Sequence, residues 1–168
     1  LFISCIEEIR QFSPDTRVEV LIPDFQGDYQ AIQRVIDAKP DVLNHNIETV
    51  PKLYTIVRPQ ANYQRSLDLL EQSAKSGRVK VKSGIMVGLG ESSEELIEVL
   101  ADLRNVGVHF VTIGQYLRPS EQHLPIAKYI TLEEFAEYEK IALEMGFEAV
   151  AAGPFVRSSY QAAKMMEG

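Results

Sequence analysis

The sequence predicts an α/β fold, in which parallel βα repeats build a sheet covered by helices. Three observations carry that prediction. Five short runs rich in apolar and β-branched residues alternate with stretches whose apolar residues recur at helical spacing. The runs are close to continuously apolar, as strands buried on both faces are. Each amphipathic stretch stops at a Gly or a Pro before the next run begins. Two architectures satisfy this order, a doubly wound sheet or part of a βα barrel. In both, chemistry sits in loops at the C-terminal ends of the strands.

The elements follow in order. Phe2, Ile3, Ile6, Ile9 and Phe12 mark an opening helix. Pro14 stops it, because its ring disfavours helix in the residue before it. Residues 18–22 (VEVLI) read as a buried strand closed by Pro23-Asp24. Asp28 caps a helix carrying Ile32, Val35 and Ile36 as far as Lys39-Pro40. A second strand covers 42–47, and a loop with Pro51 and Pro59 follows. Leu67, Leu70 and Ala74 define a helix over 63–76, with Gly77 as its C-terminal stop. The third strand covers 79–87. Ser92 and Glu95 form a capping box, satisfying free N–H groups at the start of a helix that buries Leu96, Val99, Leu100, Leu103 and Val106. Gly107 ends it, and 110–116 is the fourth strand. Thr131 and Glu134 repeat the capping box ahead of Phe135, Tyr138, Ala142 and Met145. Gly146 closes that helix, and 149–151 is a short fifth strand. No linker divides the chain, so residues 1–168 are read as one domain.

Composition excludes several classes. The 168 residues carry 17 basic and 24 acidic side chains, a net charge of -7. A grip on nucleic acid independent of sequence needs a basic surface, which this balance does not offer. One cysteine allows neither an internal disulfide nor a self-contained cysteine zinc site. No run approaches the roughly 18 apolar residues that cross a membrane, and no charged-then-apolar leader is visible. The chain begins at Leu1, without Met and inside a helical pattern, so it is expected to be a piece of something longer.

Polar residues gather at the strand ends. Asn44, His45, Asn46, Glu48 and Thr49 close the second strand. Such a set either binds ribose hydroxyls, as acidic residues do in dinucleotide sites, or forms an Asx-type turn. Alternation points His45 opposite to Asn44 and Asn46, so it reads as a packed, hydrogen-bonded residue. Gly84, Gly88 and Gly90 at the third strand either let backbone approach a ligand or make a simple turn. Ser93 stands where a dinucleotide fingerprint needs its third Gly. Arg58, Arg65 and Arg118 are carboxylate forks or surface arginines. Ser158 and Ser159 have no His/Asp relay, and no Gly-x-Ser-x-Gly elbow exists. His45, His109 and His123 are scattered without metal-ligand spacing.

Six segments in order, EVLIPDFQG, KPDVLNHNIETVPKLY, VRPQANYQRSLDLL, KSGIMVGLGE, TIGQYLRPS and GPFVRSSY, resemble the C-terminal half of lipoyl synthases, which are radical S-adenosylmethionine (SAM) enzymes. Biotin synthases share the Asn-His-Asn-x-acidic-Thr and Gly-Leu-Gly-Glu segments, but the terminal Arg-Ser-Ser-Tyr points to lipoyl synthases. The resemblance implies the C-terminal part of a partial TIM-like radical SAM barrel. It implies insertion of two sulfur atoms at C6 and C8 of a protein-bound octanoyl group. In that family one [4Fe–4S] cluster cleaves SAM to a 5′-deoxyadenosyl radical, and an auxiliary [4Fe–4S] cluster gives up its sulfur. The partners so implied are octanoylated carriers, the glycine cleavage H protein or the E2 lipoyl domains of 2-oxoacid dehydrogenases. A flavodoxin or ferredoxin would donate electrons, and the location would be cytoplasmic.

By the same resemblance Asn46 and Glu48 bind the ribose. Gly84, Gly88 and Glu91 match a G-x-I-x-G-x-x-E pattern that flanks the adenine, with Met86 in place of its Ile. Arg65, with Ser66, would meet the SAM carboxylate. Ser159, with Ser158 as the alternative, would ligate the auxiliary cluster through oxygen, and Arg157 would sit beside it. Arg58 and Lys82 are family-like without an assigned duty. The family's two N-terminal cysteine triplets have no counterpart here. Cys5 is therefore expected to be a buried small apolar residue, and this chain alone is expected to bind no iron and to be inactive. A cluster-free βα binding domain and a biotin-synthase-like enzyme remain the alternative readings.

Overall fold

Side chains fix where the helices begin. Ser92 Oγ accepts the Glu95 N–H while the Glu95 carboxylate accepts the Ser92 N–H, opening a helix over Ser93–Asn105. Thr131 and Glu134 do the same for Leu132–Glu144. Asp28 accepts the N–H groups of Gln30 and Ala31 at the start of Tyr29–Asp37. The computed structural model describes residues 1–160 and 162–165. In chain order its helices are α1 (Phe2–Phe12), α2 (Tyr29–Asp37), α3 (Tyr54–Val57), α4 (Tyr63–Lys75), α5 (Ser93–Asn105), α6 (Leu132–Glu144) and α7 (Ala162–Met165).

The strands β1 (Glu19–Leu21), β2 (Val42–Asn44), β3 (Lys80–Val87), β4 (Phe110–Gln115) and β5 (Ala149–Gly153) form one sheet. Their spatial order is their chain order, and every neighbouring pair is parallel. A doubly wound sheet reverses at a switch point. This one never does, so it is a segment of barrel wall.

Alternation along the strands gives the sheet two different faces. Leu43, Val81, Ile85, Val111 and Ile113 pack outward against Ile36, Leu70, Leu100 and Phe135 of the helices, in one continuous core. The inward residues are mixed. Val42, Phe110 and Met165 form a small apolar cluster beside Ala149. Beside it stands a buried charge pair: Lys82 Nζ lies 3.1 Å from both Glu19 carboxylate oxygens, and Asn44 Nδ2 donates to Glu19 at 3.0 Å.

Some expectations need correction. Cys5 is exposed, not buried. Only Ile6 of α1 is buried, and Ile9 and Phe12, like Cys5, face outward. The ladder of β2 stops at Asn44 rather than running to Ile47, because Ser83 Oγ takes the Ile47 N–H at 3.1 Å. The loop after β2 holds a 3-10 turn, Pro51–Leu53, and the short α3. β5 extends two residues further, to Gly153.

Candidate functional site

Past the end of β2 the backbone stays tied to β3 without regular pairing. His45 N–H donates to Lys82 O, Glu48 N–H to Gly84 O at 2.9 Å, and Met86 N–H to Glu48 O at 2.9 Å. Glu48 is held there at φ +69°. That left-handed conformation is costly for a residue with a side chain, and it persists where surrounding bonds over-determine it.

The strained turn presents two side chains. Asn46 Nδ2 donates to Glu48 Oε1 at 3.2 Å. Asn46 Oδ1 is buried without a hydrogen-bond partner. A buried acceptor left unpaired is costly, so this atom suits a ligand that brings a hydroxyl or amino donor. Burial pushes the Glu48 carboxyl above the usual range, opposed by the Asn46 hydrogen bond and the Arg58 charge. Gly84 makes the close approach possible. A Cβ there would lie 2.7 Å from Thr112 Oγ1 and 2.8 Å from Asn46 Oδ1.

These groups line a cavity of about 180 Å³ together with Met86, Gly114, Arg157 and Ser158. The C-terminal segment reaches it by crossing β4 at Gly114, where a Cβ would meet the Val156 carbonyl oxygen at 2.4 Å. A second cavity, about 630 Å³, adjoins the first through Glu48, Met86 and Leu117. Ile56, Leu89, Tyr116 and Leu124 make it largely apolar, with His123 and Arg58 at its edge.

So Asn46, Glu48, Gly84 and Arg157 come together as a set. Ser158 joins them, whereas Ser159 is exposed and lies outside the cavity lining. Gly88 and Glu91 have a different occupation. The Glu91 carboxylate accepts the N–H groups of Gly88 at 2.5 Å and Leu89 at 2.9 Å. Gly88, at φ +97°, lets Gln115 Nε2 reach the Lys128 carbonyl, since a Cβ would stand 2.3 Å from both atoms. This pair shapes the turn that seats the loop after β4.

Arg65 and Ser66 are engaged elsewhere too. The Arg65 guanidinium lies 2.6 Å from Asp24 and donates to Gln60 O. Burial raises Asp24, but the Gln26 N–H and the Arg65 charge outweigh it and hold the carboxyl below its ordinary value. Ser66 is buried against His45. His45 Nδ1 faces the Ile22 carbonyl at 2.9 Å, so it carries the proton, and Nε2 accepts from the Ser66 hydroxyl at 2.9 Å. His45 is thus packed and hydrogen-bonded, as alternation implied.

Thr112, Gly114 and Gln115 were missed by motif reading. A small residue inside a buried strand signals close backbone approach, and that signal was present at Gly114. Among the described residues no group of three or more His, Cys, Asp or Glu side chains could hold a metal ion. Iron–sulfur clusters are held by thiolates, and the one cysteine, Cys5, is exposed on α1, away from the cavity lined by Ser158. A cluster therefore does not fit on this chain's residues alone. No helix among the described residues is long and apolar enough to cross a membrane.

The model of the Radical SAM superfamily matches residues 1–103. A lipoyl synthase of Rubrobacter xylanophilus is 56% identical over 168 residues, covering 99% of this chain and 52% of that protein. One of Caldicellulosiruptor saccharolyticus is 55% identical over 162 residues, covering 96% and 57%. The chain thus spans about half the length of the curated relatives it matches. Among solved structures, a methylornithine synthase aligns with a TM-score of 0.63 at 16% identity, covering 95% of this chain and 56% of that one. Bacillus subtilis HMG-CoA lyase aligns at 0.52 and 11%, covering 88% and 57%. These two share the fold alone. With a superfamily model matching more than half of its residues and an unreversed parallel βα wall, the chain belongs to the radical SAM superfamily.

Proposed function

We propose that this chain is the part of a lipoyl synthase that holds the nucleoside of SAM and offers one oxygen ligand to the auxiliary cluster. The whole enzyme then inserts two sulfur atoms into a carrier-bound octanoyl group. Identity above 50% with lipoyl synthases along nearly the whole chain supports the reaction. The single observation that carries the site is Asn46 Oδ1, buried and unpaired beside the Glu48 carboxyl at a strand end.

Each residue has a task. Asn46 Oδ1 and the Glu48 carboxylate accept from ribose hydroxyls. Gly84 keeps the floor open between them, and the apolar cavity beside Met86 and Leu89 suits the base. Gly88 and Glu91 hold the turn that walls this cavity. Arg65 meets a carboxylate by exchanging it for Asp24, and Ser66 keeps His45 in place behind the strand. Ser158 or Ser159 supplies the oxygen ligand, with Arg157 beside it, and the cleft lining favours Ser158. When bound, the clusters and SAM supply C–H activation and the sulfur. Octanoylated H protein or E2 lipoyl domains, a flavodoxin- or ferredoxin-type donor and a cytoplasmic setting complete the reading.

The test is a chimera joining the part of the Rubrobacter relative that this chain does not span to this chain, assayed on an octanoylated carrier domain. Lipoyl formation that is lost in Asn46→Ala and in one of Ser158→Ala or Ser159→Ala supports the proposal. A folded chimera that binds its clusters yet never modifies the carrier overturns it.

A further inference from the structure

Arg58 has been given no task so far, yet it lines both the cavity at Glu48 and the one beside Asp24. Its Nη1 donates to three oxygens: Asn46 O at 3.3 Å, Ile47 O at 3.4 Å and Tyr54 Oη at 3.3 Å. Its guanidinium also lies over the Tyr54 ring, 5.6 Å from the centroid. Tyr54 is itself buried and donates its hydroxyl to Ile47 O at 2.7 Å. The two side chains therefore share the Ile47 carbonyl, and Arg58 also holds that of Asn46, the two residues immediately before Glu48. That is where the chain leaves its ladder and turns to φ +69°.

We propose that Arg58 and Tyr54 form a clip that imposes the strained Asn46–Glu48 turn and presents the Glu48 carboxylate to a ligand's vicinal hydroxyls. The inference rests on the nucleoside reading given above and adds positioning residues to it. The guanidinium bonds the carbonyls through Nη1 while its plane lies over the Tyr54 ring, a combination of hydrogen bonding and stacking that an ammonium does not reproduce. Its charge also offsets the desolvation of Glu48. The titratable and charged groups that face Glu48 are Arg58 and Tyr54 from the loop after β2. Arg157 faces it from the C-terminal segment, and Tyr116 and His123 across the larger cavity.

The experiment uses the full chain and the redox-inert probe S-adenosylhomocysteine. Glu48 is titrated by carboxyl-carbon NMR, its signal identified by loss in Glu48→Gln, alongside amide exchange and calorimetric binding. Arg58→Gln raises the Glu48 midpoint, speeds exchange of the Glu48 and Met86 amides, and weakens binding about tenfold, the scale of one charge-assisted hydrogen bond. Arg58→Lys, which keeps the charge, leaves the midpoint near the parent but speeds exchange and weakens binding about threefold. A merely structural arginine would not move the midpoint. If Arg58→Gln fails to fold, Arg58→Lys with unchanged exchange and affinity still overturns the clip. Binding weakened by Glu48→Gln but untouched by either Arg58 variant overturns it as well. No binding by the parent, or binding indifferent to Glu48→Gln, sinks the nucleoside reading and this inference with it.

Discussion

Gly114→Ala separates the C-terminal segment from the rest of the fold. Gly114 does not lie in the left-handed region, so alanine fits its backbone. Reducing backbone freedom of the unfolded chain then returns about 0.4–1 kcal/mol. Against this, the new Cβ would stand 2.4 Å from Val156 O and 3.4 Å from Arg157 Nη1. The carbonyl must retreat by about 1 Å to reach ordinary contact. Val156 is 6% exposed, and freeing its side chain forfeits at most about 1.5–2 kcal/mol. For global unfolding the net loss is at most about 0.5–1.6 kcal/mol, a fall of a few degrees in melting temperature. For the segment alone only the loss applies, and local opening rises about tenfold. The assay is trypsin cleavage after Arg157 with exchange of the Val156 and Tyr160 amides, which donate to Gly153 O and Arg157 O. Unchanged cleavage and exchange in a folded Gly114→Ala would refute the seating of the segment on β4.

Two further predictions concern buried charge. Lys82 is 1% exposed and depends on Glu19, so Glu19→Gln costs about 3–5 kcal/mol in urea denaturation by stranding a buried ammonium. Lys82→Met costs less because Glu19 keeps partial solvent contact, and the double variant recovers most of the loss; equal single costs with no recovery would show that the pair is not coupled. His45 gives a pH dependence. Burial holds it below its ordinary value near 6.5, despite the Ile22 carbonyl. The unfolded chain then binds the proton more tightly than the fold does. Its contribution to stability is complete above about 6.5 and declines as pH falls through the lowered folded value. Thermal midpoints across pH 5 to 8 should show this decline, and His45→Gln should flatten it.

Much of the fold was legible because its signals are local. Caps at Ser92 and Thr131, stops at Gly77, Gly107 and Gly146, and apolar runs depend on residues a few positions apart. The choice between barrel and doubly wound sheet depends on strand order, which helical and strand periodicity do not encode. Asn46 and Glu48 stood out by polar density at a strand end. Arg65 did not reveal its partner, because Asp24 is 41 positions away and meets it only through folding. Cys5 was misjudged because composition favours burial of free thiols, while its place on α1 faces away from Ile6. Nor does any local rule place Glu48 at positive φ; its bonds to Gly84 and Met86, distant in sequence, hold that angle.

The central claim is that the strand-end cavity is a nucleoside site. Amide shift mapping of the chain with S-adenosylhomocysteine tests it most directly. The account predicts saturable shifts at Asn46, Glu48, Gly84, Met86 and Gly114 that vanish in the Asn46→Ala, Glu48→Gln double variant. Shifts confined to other surfaces, or equal shifts in that variant, would contradict it.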